Sequence, residues 1–339
     1  MENKMKKRIA LVGCAHIHTP AFVKMLLERK ADFEVAGVWD HDTKRAEKNA
    51  EQLDCKVCAS DSEIWNDPSI DAVIICSETK LHEGIVKKAV AAKKHMFVEK
   101  PLGFAAKDAL EMATLIENAG LIFQTGYFRR GDAIFQFLRE QIQNGAFGTI
   151  SRIRMTNCHS GSLGGWFDTE WRWMADPSIA GCGAFGDLGT HVLDIMMWFL
   201  GKPELVTADI RSVTARYGAQ CDEAGEAILQ FPNGTIGTIA AGWVDLADPV
   251  PCQISGTEGH AVVINGQLFF KSSRVEGADG TAPWTKLPEG KPHAFIRFLN
   301  ALAGQEEALV SPREAAERSA VMEALYAANQ DKAWKKPVY

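Results

Sequence analysis

Ile9-Ala10-Leu11-Val12-Gly13-Cys14-Ala15-His16-Ile17-His18, then Thr19-Pro20, then Val35-Ala36-Gly37-Val38-Trp39-Asp40, is the stretch that decides how the first third of this chain folds. An apolar run breaks at a glycine, a helix start follows, and a second apolar run ends on a carboxylate. That order opens a β-α-β unit. Thr19 is the expected N-cap of the intervening helix, with Pro20 at its first position.

The unit repeats from Arg8 to about Thr125. Strands are expected at Ile9–Val12, Phe33–Trp39, Ala72–Cys76, His95–Val98 and Leu121–Gln124, all short and rich in Val, Ile or Phe. Continuous apolar runs of this kind suit strands buried on both faces. Helical stretches lie between them at Ala21–Arg29, Thr43–Gln52, Leu81–Ala92 and Lys107–Ala119. The alternation implies an α/β Rossmann-type domain, a doubly wound parallel sheet with right-handed crossovers. Ligands of such sheets bind at the carboxyl ends of the strands. Gly13, Asp40, Ser77, Glu99 and Gln124 all fall there.

The texture changes after Tyr127. A helix at about Asp132–Gln143 leads into strands at Ile150–Cys158, Val206–Arg216, Glu226–Phe231, Thr235–Val244 and Ala261–Ile264. Phe231-Pro232-Asn233-Gly234 is a hairpin signal, because Asn-Gly supplies positive φ angles. A helix at Ala184–Leu200 interrupts the strands, and two more follow near His293–Ala303 and Pro312–Gln330. This half reads as an α+β domain with an open, mostly antiparallel sheet. The expected boundaries are 1–125 and 126–339.

The 339 residues are 46% hydrophobic and 24% charged, the balance of a globular chain. A net charge of −6 argues against nucleic acid or an anionic membrane as partner. No run of eighteen apolar residues is present to span a bilayer. Met1–Arg8 followed by Ile9–Ala15 mimics a signal peptide, but the apolar part stops at His16, so a first strand is the better reading. Eight cysteines without disulfide spacing suggest reduced thiols and a cytoplasmic location. Cys55-Lys56-Val57-Cys58 reads as structural cysteines on a short third strand.

Gly13, Ala15 and His18 occupy the three places of a glycine-rich phosphate loop, and only the first is glycine. Asp40 stands where a carboxylate accepts adenosine ribose hydroxyls and repels a 2′-phosphate. This favours NAD, with NADP as second choice because Arg45 is close by. The alternative for Asp40 is a loop acid capping the next helix. His16 and His18 lie two apart with no acidic or cysteine cluster beside them in sequence, so no metal is expected.

Val98-Glu99-Lys100-Pro101-Leu102-Gly103 follows a strand, and Pro101 disfavours α geometry at Lys100. The lysine is either part of the ligand crevice or one half of a solvated pair with Glu99. Asp187, His191 and Asp194 share one face of an otherwise apolar helix. They form either an internal hydrogen-bond cluster or an acid–base site.

Glu99-Lys100-Pro101, the Asp187-x-Gly189-x-His191-x-x-Asp194 run, Gly145-x-Phe147-Gly148 and Trp171-Arg172 together resemble the Gfo/Idh/MocA family. This is the family of glucose–fructose oxidoreductase and inositol dehydrogenase. The resemblance implies NAD(P)-dependent oxidation or reduction at a hydroxyl carbon of a sugar, polyol or glycoside, and a homodimer or homotetramer formed through the C-terminal sheet. It makes Lys100, Asp187 and His191 the catalytic trio. The implied cofactor contacts are Gly13, Ala15, His16, Ile17, Asp40, Arg45, Ser77, Thr79, His82, Glu99 and Lys100. Ser77-x-Thr79-x-x-His82 corresponds to a loop that usually reads Thr-Pro-Asn-x-x-His, with Glu78 in place of the proline and Thr79 in place of the asparagine. The implied substrate contacts are Lys100, Tyr127, Trp171, Arg172, Asp187 and His191. The aromatic, glycine-rich run Gly161–Phe167 and Trp171–Trp173 could stack on sugar faces or be core, and Gly164-Gly165 hints at a flap.

Two other functions fit the same residues. One is a redox-neutral, NAD-using glycosidase or lyase, with Tyr127 as an added acid or base. The other is a dinucleotide-sensing regulator, which has no need of the trio.

Overall fold

The computed structural model describes residues 6–339, so the first part of the basic Met1–Arg8 segment lies outside the described residues. The chain divides into two compact units.

In the first unit, β1 (Lys7–Cys14), α1 (Thr19–Glu28), β2 (Phe33–Trp39), α2 (Thr43–Leu53), α3 (Ser62–Trp65), β3 (Ala72–Cys76), α4 (His82–Ala91), β4 (His95–Val98), α5 (Ala106–Asn118) and β5 (Phe123–Thr125) follow in turn. The five strands are all parallel, in the order β2-β1-β3-β4-β5. Every residue of β3, Ala-Val-Ile-Ile-Cys, is buried, because a central strand covered by helices on both faces has no solvent side. The Cys55–Cys58 stretch contributes only an isolated bridge, Val57 to Val38, beside β2. All eight cysteines are free thiols.

α1 starts earlier than expected. Thr19 is its first residue and His18 its N-cap, with no side-chain cap bond. Asp42 caps α2 by accepting from the Lys44 and Arg45 amides, so the helix-capping alternative for Asp40 does not hold.

The second unit contains α6 (Ala133–Gln143), β6 (Ile150–Cys158), α7 (Pro177–Ala180), α8 (Ala184–Leu200), β7 (Leu205–Arg211), β8 (Ala224–Gln230), β9 (Ile236–Gly242), β10 (Cys252–Gly256), β11 (Gly259–Ile264), β12 (Gln267–Ser272) and β13 (Asp279–Pro283). Its eight strands run β13-β12-β11-β10-β6-β9-β8-β7. Only β6 and β9 pair in parallel. The turn at Phe231–Thr235 forms as its sequence predicts, with Gly234 at φ +83°. α8 lies against β6, β8 and β9. Gly225 on β8 permits that approach, since a Cβ there would sit 2.7 Å from the Phe185 ring.

One expectation about the boundary is corrected. The first unit ends at Gly126 but regains Pro292–Ala316, so not everything after 125 belongs to the second. The reason is α9 (Ala294–Leu302), whose Phe295, Phe298, Leu299 and Leu302 join the core around Ile9, Leu11, Phe22 and Phe97. The Phe295 ring stacks on Phe22 at 4.6 Å and meets Phe97 edge-on at 5.1 Å. Burying each such ring is worth about 2–3 kcal/mol, which fixes the helix on this sheet. The last helix, α10 (Pro312–Asp331), carries residues of both units.

Candidate functional site

The first unit gathers its site residues at the carboxyl rim of the parallel sheet. Gly13 has φ +82°, and a Cβ on it would lie 2.5 Å from Ser77 Cβ and 2.7 Å from the Ser77 amide nitrogen. Glycine is required there on both counts. The Cys14 amide donates to Asp40 Oδ2 at 2.7 Å, and the His16 amide donates to the Cys76 carbonyl at 2.9 Å. Ala15 is buried and Ile17 partly exposed.

Asp40 does not present a free carboxylate. Arg45 Nη2 donates to its Oδ1 at 2.8 Å and also to Glu78 Oε1 at 2.9 Å, so one guanidinium links the loops after β2 and β3. Ser77 and Thr79 are buried at the same rim. His82 is fully enclosed, its ring nitrogens 3.2 Å from the Ser77 carbonyl and 3.1 Å from that of Pro101. Burial holds its pKa below the ordinary histidine range, against the pull of those carbonyls toward the charged form.

Glu99 and Lys100 are not a solvated pair: they are 0% and 3% exposed. Glu99 Oε2 accepts from the Lys100 amide at 2.8 Å, while Oε1 accepts from His18 Nδ1 at 3.0 Å. Burial pushes the Glu99 carboxyl up, but His16, His18 and Lys100 together hold it well below the usual carboxylate range. The Lys100–Pro101 peptide is cis.

His16 and His18 thus do have an acidic neighbour, brought from 81 residues away along the chain. Ligand atoms of His16, His18 and Glu99 fall within 4.8 Å of one another. His16 Nδ1 already accepts from the His18 amide at 3.2 Å, so the three form a hydrogen-bonded brace.

In the second unit, α8 carries Asp187, His191 and Asp194. Asp187 Oδ2 accepts from the buried Trp243 indole at 3.2 Å. His191 is buried between the Tyr127 ring, edge-on at 6.2 Å, and the Phe128 ring at 5.2 Å. Tyr127 donates or accepts a 2.9 Å bond with Thr190, and burial pushes its phenol well above its usual range.

Asp194 departs from the other two. Arg130 grips both of its oxygens, at 2.8 and 2.6 Å, and Arg318 adds a third bond at 2.9 Å. It anchors the helix and has no capacity left for acid–base work. The helix start is held from outside as well. Asp222 accepts from the Gly183 and Phe185 amides and from the Tyr326 hydroxyl.

The aromatic run is divided. Phe167 and Trp173 are core, with Phe167 packed on Trp243 at 4.2 Å, whereas Trp166 is exposed. Gly164 and Gly165 donate to the Ser160 and Ser162 carbonyls, which pins the segment read as a flap. Trp171 is partly exposed, and Arg172 lies over the Tyr217 ring at 4.5 Å. Arg172, Asp176, Tyr217 and Gln220 help to line a cleft of about 550 Å³.

Sequence reading missed Trp243, Asp222, Tyr326 and Tyr217 as supports of this region. No local signal marks them, since each meets its partner across a long stretch of chain.

Comparison with known proteins finds a separate match for each of two stretches of the chain. Residues 7–127 match the oxidoreductase family, NAD-binding Rossmann fold, and residues 135–262 match the GFO/IDH/MocA C-terminal domain. A myo-inositol 2-dehydrogenase from Thermotoga maritima is 30% identical over 184 residues, which cover 52% of this chain and 51% of that protein. A 2,7-anhydro-N-acetylneuraminate hydratase from Escherichia coli is 28% identical over 247 residues, covering 70% and 63%. The chain thus spans between about half and less than two thirds of the length of these curated relatives. A solved levoglucosan dehydrogenase, in complex with NADH and levoglucosan, shares the fold with a TM-score of 0.82 at 19% identity, covering 99% of this chain and 100% of that one. The paired domain matches, together with the parallel sheet and the mostly antiparallel one, settle the kinship: this chain belongs to the Gfo/Idh/MocA family of oxidoreductases, and its N-terminal unit is an NAD-binding Rossmann fold.

Proposed function

We propose that the protein is an NAD-dependent dehydrogenase acting on a hydroxyl carbon of a sugar, polyol or glycoside. The observation that carries this reading is the withdrawal from solvent of two bases, Lys100 at 3% and His191 at 4% exposure. Lys100 sits where ligands of a parallel sheet bind. Titratable groups withdrawn from solvent collect at active sites, where burial and neighbouring charges tune them.

The residues of the first unit fit NAD. Gly13, at φ +82°, lets the turn after β1 pack directly on Ser77, the tight turn a dinucleotide loop needs, and Glu78 Oε2 is a buried acceptor without a hydrogen-bond partner among the described residues. Gly13, Ala15, His16 and Ile17 would face the pyrophosphate, with Ser77, Thr79 and His82 shaping the nicotinamide side. The bound cofactor supplies a hydride acceptor. On this reading His191 takes the hydroxyl proton at one ring nitrogen, while Lys100 donates a hydrogen bond to the oxygen as negative charge builds on it. Asp187 orients the pair electrostatically. Lys100 and His191 could exchange the base role. Arg172 on the Tyr217 ring offers a hydrogen-bonding cation beside an aromatic face, a combination suited to a carbohydrate.

The test is single-turnover NADH formation at 340 nm across a set of aldoses, polyols and glycosides. Lys100→Ala and His191→Ala should each slow the chemical step by at least about 100-fold while NADH binding persists. Near-normal turnover in either variant removes that residue from the mechanism.

One observation favours a second reading. Tyr127 is tied to Thr190, the neighbour of His191, so a further acid lies beside the imidazole. A redox-neutral lyase or hydrolase would use it, and substrate cleavage without net NADH would select that reading.

We further propose a cytoplasmic protein that assembles with copies of itself through the C-terminal sheet. Ile228 on β8 and Ile236 on β9 are exposed on the sheet's open face, at 42% and 51%. Light scattering on Ile228→Lys and Ile236→Lys should report a smaller particle than wild type.

A further inference from the structure

The carboxylate at the end of β2 is the usual reader of adenosine ribose hydroxyls in a Rossmann sheet. Here that position is already spent. Asp40 Oδ2 accepts from the Cys14 amide at 2.7 Å and from Arg45 Nε at 3.2 Å. Its Oδ1 accepts from the Asp42 amide at 2.8 Å and from Arg45 Nη2 at 2.8 Å. A carboxylate has about four lone-pair sites. All are taken by the protein, and the side chain is 0% exposed.

The same guanidinium leads to the next loop. Arg45 Nη2 donates to Glu78 Oε1 at 2.9 Å, and His41 Nε2 lies 3.6 Å from that oxygen. The other oxygen, Glu78 Oε2, is buried and has no hydrogen-bond partner. Arg45 balances the charge of this carboxylate, but among the described residues no donor satisfies Oε2, which is a rare condition for a buried acceptor. Rotation about the last side-chain torsion exchanges the two oxygens, so Glu78 can hold Arg45 with one and a ligand with the other.

We propose that Glu78, from the loop after β3, is the residue that accepts the ribose hydroxyls of the adenosine half of bound NAD, and that the Asp40–Arg45 pair positions it. The proposal rests on the cofactor reading given above and names the selector within it. Two carboxylates share one guanidinium in this cluster, so its charge is negative unless His41 is protonated. A 2′-phosphate, carrying about −1.5 to −2 charges, is repelled there although an arginine is present. Arg45 therefore does not open the site to NADP. Its charge is already neutralised from both sides.

The experiment is fluorescence titration with NADH and with NADPH of wild type, Glu78→Gln, Glu78→Ala and Asp40→Asn, each checked by circular dichroism. Wild type should prefer NADH. Both Glu78 variants should bind NADH about tenfold more weakly, the loss of one hydrogen bond to a charged group, while NADPH binding holds or improves. Asp40→Asn should lower the melting temperature and weaken NADH, and, by removing one of the two carboxylate charges on Arg45, shift the ratio toward NADPH less than the Glu78 variants do. Unchanged coenzyme preference in both Glu78 variants overturns the proposal, as does a ratio that moves in Asp40→Asn alone. Wild type that binds neither coenzyme instead overturns the cofactor reading itself.

Discussion

Replacing Asp194 by alanine removes a carboxylate that two buried arginines share. Arg130 and Arg318 are 6% and 2% exposed, and three bonds of 2.6 to 2.9 Å join them to this carboxylate. Breaking a buried ion pair from one side costs about 3–5 kcal/mol, because the partner stays desolvated. Two buried cations lose this carboxylate at once, while Arg318 keeps a longer 3.8 Å approach to Glu317, which puts Asp194→Ala at about 5 kcal/mol. At about 2–4 °C per kcal/mol for a domain of this size, the melting temperature should fall by about 10–20 °C. Asp194→Asn keeps the shape and one acceptor oxygen, so its loss should be about half as large. The assay is thermal unfolding followed by circular dichroism, run as a double-mutant cycle with Arg318→Met. In the Asp194→Ala background, Arg318→Met removes one stranded charge and should restore several degrees. If Asp194→Ala melts within 3 °C of wild type, or Arg318→Met lowers it further, the carboxylate is not the neutraliser and the reasoning fails.

Gly13→Ala should cost about 1–3 kcal/mol for its backbone conformation alone, and more from the contact with Ser77. Wild-type melting and NADH affinity in that variant would contradict the geometry. Asp222→Ala strips acceptors from the Gly183 and Phe185 amides and should cost at least about 2 kcal/mol. Hydrogen exchange should then rise first in the opening turn of α8, and unchanged protection there would reject the capping role. Acid should destabilise the protein in two steps. Burial holds His82, His95 and His293 below the ordinary histidine pKa, so the unfolded chain takes up protons first as pH falls. Stability from these groups is full above about pH 6.5 and declines below it. Glu99, whose pKa is depressed, contributes above about pH 4.3, and that part is lost as pH falls further. A melting temperature that stays level or rises from pH 7 to pH 5 would contradict the first step.

The parallel sheet was legible because strands buried on both faces leave continuous apolar runs, as in Ala72–Cys76. β10, β12 and β13 were not, since the alternation in Cys252–Gly256 lasts only four residues and the exposed Asp279–Pro283 has no apolar run. α9 was visible as a helix with an apolar face. Its destination was not, because a face records that it must be buried and not against what. The same limit governs the site. Asp187, His191 and Asp194 share a helix face, yet Asp194 is claimed by arginines 64 and 124 residues away. Asp40 is at its strand end as read, but its saturation was not legible, because the Cys14 amide reaches it from the end of β1 and Arg45 turns back on it from α2. Glu78 was noticed only as a departure from a motif, and its spare oxygen becomes visible only in three dimensions.

These departures belong together. A glycine-rich loop keeps its shape through backbone freedom, which lets the chain turn tightly against its ligand. Here one glycine remains, at the position where the Ser77 backbone leaves no room for a side chain. Beyond it, side chains from neighbouring strands take over. Asp40 fixes the Cys14 amide, the Cys76 carbonyl fixes His16, and Glu99 fixes His18. Glu99 also holds the Lys100 amide, so the brace that shapes the phosphate loop is the one that sets the backbone of the proposed catalytic lysine. A loop braced in this way gives up conformational freedom during folding and has less to lose on binding. On the proposed reading it would also tie cofactor binding to the lysine, because a change at His18 reaches Lys100 through a single buried carboxylate.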